Sequence, residues 1–60
     1  MNEKEKIELA ELIRKKCIDA AKEGFRDASV SGLCAEGAIE AAVSAIQKLD
    51  PEQMVNQLKE

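Results

Sequence analysis

The chain has 60 residues, a net charge of −3 and one aromatic side chain, Phe25, so it forms one small domain whose core must be aliphatic. Its acidic balance gives no attraction to phosphate backbones, which argues against nucleic acid as a partner. No apolar run approaches the roughly 20 residues that cross a bilayer, and the charged first six residues do not resemble a signal peptide, so we expect a cytoplasmic protein with no membrane partner.

The first predicted element is an amphipathic helix over residues 2–23. Its apolar side repeats at helical spacing and consists of Leu9, Ala10, Ile13, Cys17, Ala20 and Ala21. Ile7 and Ile18 widen that side. Leu12 falls outside the apolar side. It is either an ordinary exposed leucine or part of a second contact surface. Gly24 follows the last charged turn and is predicted to end the helix.

Residues 25–31 are predicted to connect two helices. Phe25 is the one large anchor in the chain, and we expect it to be buried at the end of a helical hairpin; the alternative is an exposed stacking platform. Ser29 and Ser31 are candidate N-caps for the second helix, because a serine hydroxyl accepts a hydrogen bond from the free N–H groups of a first turn.

The second helix is predicted over residues 32–49. Gly37, Ala41 and Ala45 recur every four residues, which gives a smooth side that another helix can approach closely. Glycine inside a helix costs up to ~1 kcal/mol relative to alanine. We therefore expect Gly37 to lie where the first helix, or a second copy, leaves no room for a methyl group. Leu33 falls on the polar side and is assigned to an irregular turn.

A third, short helix is predicted over residues 51–59. Asp50 is a suitable N-cap, Pro51 fits the first helical position, and the acidic Glu52 complements the positive end of the helix dipole. The apolar edge of this helix consists of Met54, Val55 and Leu58. The helix is expected either to fold back onto the hairpin or to fray at the terminus.

The predicted fold class is therefore all-α: an antiparallel two-helix hairpin plus a short C-terminal helix, in a single domain over residues 1–60. An alanine-rich core buries little apolar area and therefore gains little free energy, whereas ordering the chain costs about 1–2 kcal/mol per residue. We therefore expect the chain to gain further stability by self-association. The thiols of Cys17 and Cys34 are predicted to be buried and reduced rather than joined across the hairpin, and without histidine no zinc site is expected.

The stretch from Ser29 to Cys34 is the candidate for chemistry. Free N–H groups at a helix start hold phosphates and carboxylates, and the positive helix end can activate a thiol such as that of Cys34. A histidine base, a glycine-rich phosphate loop and a following lysine are all missing from this stretch. Capping and packing are therefore favoured, and no catalytic residue, metal or cofactor is predicted.

The segment from Ala20 to Ser31 also matches the helix-turn-helix pattern of bacterial repressors, with Gly24 in the turn and residues 29–31 opening the recognition helix. Such proteins bind phosphates through many lysines and arginines. Arg26 is the only basic residue in the corresponding recognition segment, and Gly32 occupies a usual contact position. DNA binding is therefore the weakest of the three functional hypotheses.

Residues 27–42 form the pattern D-A-S-x-S-G-L-C-x-E-G-A-x-E-x-A. This pattern resembles a family of very short bacterial helical proteins, some of which are labelled acetyltransferases. The resemblance implies a compact helical protein whose shared residues cluster at the turn between two helices. It also implies a link to acyl transfer, although 60 helical residues supply neither the mixed sheet nor the cofactor cleft of the common acetyltransferase domains.

The leading hypothesis is a non-enzymatic helical module for interaction or oligomerisation, whose partner is a second copy or another protein. The predicted contact residues are Leu12, Phe25, Leu33, Gly37, Ala41 and Ala45. The alternative is an acetyltransferase-related enzyme or accessory protein that binds acetyl-CoA at the turn over residues 29–34. Its weak candidate residues are Ser29, Ser31, Gly32 and Cys34.

Overall fold

The computed structural model describes residues 2–59, and this range is helical apart from short turns. Helix α1 spans Glu3–Val30, α2 spans Ala35–Gln47 and α3 spans Pro51–Lys59. At about 1.5 Å per residue, α1 accounts for nearly the whole long axis of the molecule, which measures 45 Å. α2 packs extensively against α1, and α3 makes a smaller contact with α1.

The start of α1 is held by a capping box. The side-chain Oδ1 of Asn2 accepts a hydrogen bond from the backbone N–H of Glu5 at 2.8 Å, and the Glu5 carboxylate accepts one from the backbone N–H of Asn2 at 3.4 Å. Two of the four free N–H groups of the first turn are thereby satisfied. Asn2 is thus the N-cap, and α1 begins at Glu3, one residue after the predicted start.

The predicted end of the first helix is wrong. α1 continues through Gly24 and through the predicted connection as far as Val30. The left-handed residue that stops it is Gly32, with φ at 90°. The N–H of Gly32 donates to the carbonyl of Ser29 at 3.1 Å, and the N–H of Leu33 donates to that of Ala28 at 3.0 Å. This pair of bonds is the Schellman motif, which satisfies the last carbonyls of a helix.

Replacing Gly32 with alanine is expected to destabilise the protein by about 1–2 kcal/mol, because an L-residue is strained in the left-handed region. A Cβ at this position meets nothing within 4 Å, so the effect comes from the backbone alone. Urea unfolding measures it. Gly32→Asn serves as the control and should cost less, because asparagine tolerates this conformation. Wild-type stability in the alanine variant would contradict the motif.

The second helix also begins later than predicted. Its N-cap is Cys34, in an extended conformation and without a side-chain capping bond, so neither Ser29 nor Ser31 caps it. Ser29 lies in the last turn of α1 and Ser31 is the C-cap of that helix. The helix ends at Gln47, two residues before the predicted end, and Leu33 lies in the turn, as expected.

The start of α3 agrees with the sequence prediction. The Asp50 carboxylate accepts a hydrogen bond from the backbone N–H of Glu52 at 2.9 Å, and Pro51 is the first helical residue. Met54 is buried, whereas Val55 and Leu58 are half-buried. Because α3 contacts α1, its apolar edge folds back onto the rest of the protein.

The buried side chains are few and mostly small. Among the described residues, Ala28, Ala38 and Met54 are buried, and no large side chain is fully enclosed. The prediction of a buried Phe25 is wrong, because its side chain is 43% exposed. The prediction of two buried thiols is also wrong for Cys34, which is exposed; Cys17 is half-buried, and both thiols are free.

Candidate interaction surface

α1 and α2 are in close contact at Gly24. A Cβ on this residue would lie 2.9 Å from the carbonyl oxygen of Ala41, 3.2 Å from the Cα of Ala42 and 3.0 Å from the Cβ of Ala45. Two of these three neighbours are backbone atoms, which cannot move without moving α2. Gly24 is therefore a packing residue inside α1, six residues before its end, and Ala41 and Ala45 form its counterpart within the same chain.

Gly37 lies in a different environment from Gly24. A Cβ on Gly37 would meet only the side chain of Leu33, at 3.4 Å and beyond, which is ordinary van der Waals contact. The predicted smooth side is therefore divided. Ala41 and Ala45 pack against α1, whereas Gly37 lies beneath a side chain from the preceding turn.

The surface between α1 and α2 carries two different grooves. One is open, has a volume of about 650 Å³ and is lined by Ala21, Phe25 and Ala42 among others. The other contains Gly24 and is bordered by three charged residues, Glu23, Asp27 and Lys48. The first groove is therefore the more apolar of the two.

Larger apolar side chains extend the first groove along both helices. On α1, Ile18 precedes Ala21 by three residues and Phe25 by seven, so the three share one stripe. On α2, Ile39 and Ile46 share a stripe with Ala42, and Val43 lies beside that stripe. We call these residues together the apolar face: Ile18, Ala21, Phe25, Ile39, Ala42, Val43 and Ile46. Ile39 is 55% exposed and Val43 is 49% exposed.

Opposite charges border the apolar face on its two long sides. Lys22 and Arg26 line the groove on the α1 side, and we call them the basic rim. On α2, Glu36 and Glu40 precede Val43 by seven and three residues and therefore lie on the stripe that includes Val43. We call them the acidic rim. All four charged side chains are exposed.

Two other predicted contact residues are not members of this face. Leu12 is half-buried and lies with Ile18, which belongs to the face, along a further groove of about 470 Å³. Leu33 is exposed in the turn, next to Gly37. Of the predicted contacts, only Phe25 belongs to the apolar face. Ile39, Val43 and Ile46 are contact candidates that were not predicted from the sequence.

The turn over residues 29–34 does not form a set of free donors. The backbone N–H groups of Ser31, Gly32 and Leu33 all donate to carbonyls of α1, at 3.0–3.1 Å. The turn that the repressor pattern requires at Gly24 is also replaced by continuous helix. An acyl-CoA site at residues 29–34 and DNA binding therefore stay predictions from the sequence, without specific structural support.

Within residues 2–59, no group of three cysteine or carboxylate side chains is arranged to hold a metal ion. No helix in that range has the length and apolar character needed to cross a membrane. No family model matches the chain, and no curated protein or solved structure matches it significantly.

Proposed function

We propose that this chain is a non-enzymatic interaction module of the bacterial cytoplasm that self-associates through the apolar face. In this proposal α1 and α2 form an antiparallel hairpin, which the short turn after Gly32 and the packing of Gly24 on Ala41 and Ala45 support. One observation carries the proposal: several of the larger aliphatic side chains and the phenylalanine ring are exposed, while most of the buried side chains are alanine.

The energetics of the exposed side chains favour burial by a partner. Fully burying a valine, isoleucine or phenylalanine side chain contributes about 1.5–3 kcal/mol relative to leaving it in water. The apolar face places several of these side chains on one continuous surface, which is the usual sign of a protein contact site. α1 and α2 alone cannot bury them, because two helices in contact cover only one stripe of each other.

The surface area of the molecule leads to the same conclusion. The solvent-accessible surface is 4768 Å², whereas a compact monomer of this mass, 6.6 kDa, would expose about 3,900 Å². The excess of roughly 900 Å² is close to the ~800 Å² that each partner buries in a standard protein interface. If two copies packed side by side along the 45 Å axis, the surface that each chain leaves exposed would fall into the range of compact domains.

The test is the concentration dependence of the wild-type chain. We expect sedimentation velocity to resolve a dimer or larger species that dissociates on dilution from about 1 mM to about 1 μM, the range that brackets ordinary affinities. The midpoint of thermal unfolding should rise with protein concentration, because association stabilises only the folded chain. A single monomeric species with a constant melting temperature across this range would overturn the proposal.

A further inference from the structure

We infer that the occupant of the apolar face is a second copy of this chain, related by a two-fold axis parallel to the helices, so that α1 of each copy lies over α2 of the other. The pair is then a four-helix bundle. This inference rests on the proposed self-association and adds its symmetry and its charge pairing.

Two-fold symmetry allows two ways of stacking a flat helix pair on itself. An axis parallel to the helices places α1 over α2 of the second copy, and an axis perpendicular to them places α1 over α1 and α2 over α2. Both bury the same apolar face. They differ in the charges that meet along the long sides of the interface.

Charge complementarity selects the parallel axis. With α1 over α2, the basic rim of each copy lies on the same edge of the interface as the acidic rim of the other, with Arg26 beside Glu40. The perpendicular axis would instead place basic over basic and acidic over acidic. Like charges juxtaposed across an interface disfavour a pairing, and opposite charges fix its register.

The heights of the residues along the helix axes also fit a two-fold axis parallel to the helices. Gly24 of α1 is level with the segment of α2 around Ala42, because its Cβ position lies within 3.2 Å of atoms from Ala41, Ala42 and Ala45. Rotation about an axis parallel to the helices leaves this level unchanged. The ring of Phe25 therefore comes over the small side chain of Ala42 of the second copy, between the isoleucines on either side of it, as a knob enters a hole. Arg26 is then nearly level with Glu40 of the second copy.

The experiment exchanges the charges of the two rims. The basic-rim variant is Lys22→Glu/Arg26→Glu, the acidic-rim variant is Glu36→Lys/Glu40→Lys, and the third variant combines all four changes. Each is compared with the wild type by sedimentation equilibrium at about 50 mM salt, where surface charges are little screened. Circular dichroism confirms that each variant is helical; we expect this because all four residues are exposed.

We expect each rim variant to raise the dimer dissociation constant by roughly tenfold or more, and the combined variant to restore it to within about threefold of the wild type. The two rim variants shift the net charge in opposite directions, so a general net-charge effect would not weaken both. If the wild type dimerises and the three variants dimerise equally well, the parallel axis is wrong and the proposed function survives. If the wild type is monomeric at all concentrations, the proposed function itself fails.

Discussion

Replacing Gly24 with alanine is expected to lower the free energy of unfolding by about 1–3 kcal/mol, although alanine is the better helix former by roughly 1 kcal/mol. The added methyl group would lie 2.9 Å from the carbonyl oxygen of Ala41 and 3.0 Å from the Cβ of Ala45. Since the nearest obstacle is backbone, relief requires α2 to move away from α1. Chemical denaturation at a fixed protein concentration measures the change.

Gly37→Ala is the matched control for this prediction. Its new methyl group meets only the Leu33 side chain, at ordinary contact distance, and the residue lies in the first turn of α2. We therefore expect a gain of up to about 1 kcal/mol from helix propensity and from the lower entropy of the unfolded chain. The two substitutions should thus have opposite signs. Equal stabilisation by both would show that α1 and α2 are not in close contact at Gly24.

Replacing Val43 with aspartate is expected to weaken self-association, with the dissociation constant raised at least about tenfold, because a carboxylate loses its hydration when it is buried in an apolar interface. Val43 lies in the middle of the α2 part of the apolar face and is 49% exposed in the single chain. The substitution therefore removes little packing within the chain. Analytical ultracentrifugation measures the shift, and circular dichroism at the same concentrations reports the helix content.

Ser44→Asp supplies the control, since it adds the same charge to the same helix one residue further along. Ser44 is also exposed, but it is displaced by about 100° around α2 and so lies off the stripes that form the apolar face. We expect its dissociation constant to stay within about threefold of the wild type. If Val43→Asp associates as tightly as Ser44→Asp, the apolar face is not the contact surface.

The caps show where local chemistry was sufficient for prediction and where it was not. Asp50 and Pro51 start α3 as predicted, because a carboxylate cap and a proline ring act on the turn that contains them. Two glycines, at positions 24 and 32, equally suit the end of α1. Only Gly32 takes the left-handed conformation. Gly24 stays helical and lies at the contact with α2, where a side chain would not fit.

Periodicity and capping signals in the sequence predicted that this protein is helical and where its third helix begins. Periodicity and capping act within a few residues, so they can be recognised without knowing the fold. Which apolar side chains of α1 and α2 face inward depends on how the two helices pack against each other. The close contact at Gly24 turns the alanines toward α1, and the same rotation leaves Phe25 and Val43 on the outside.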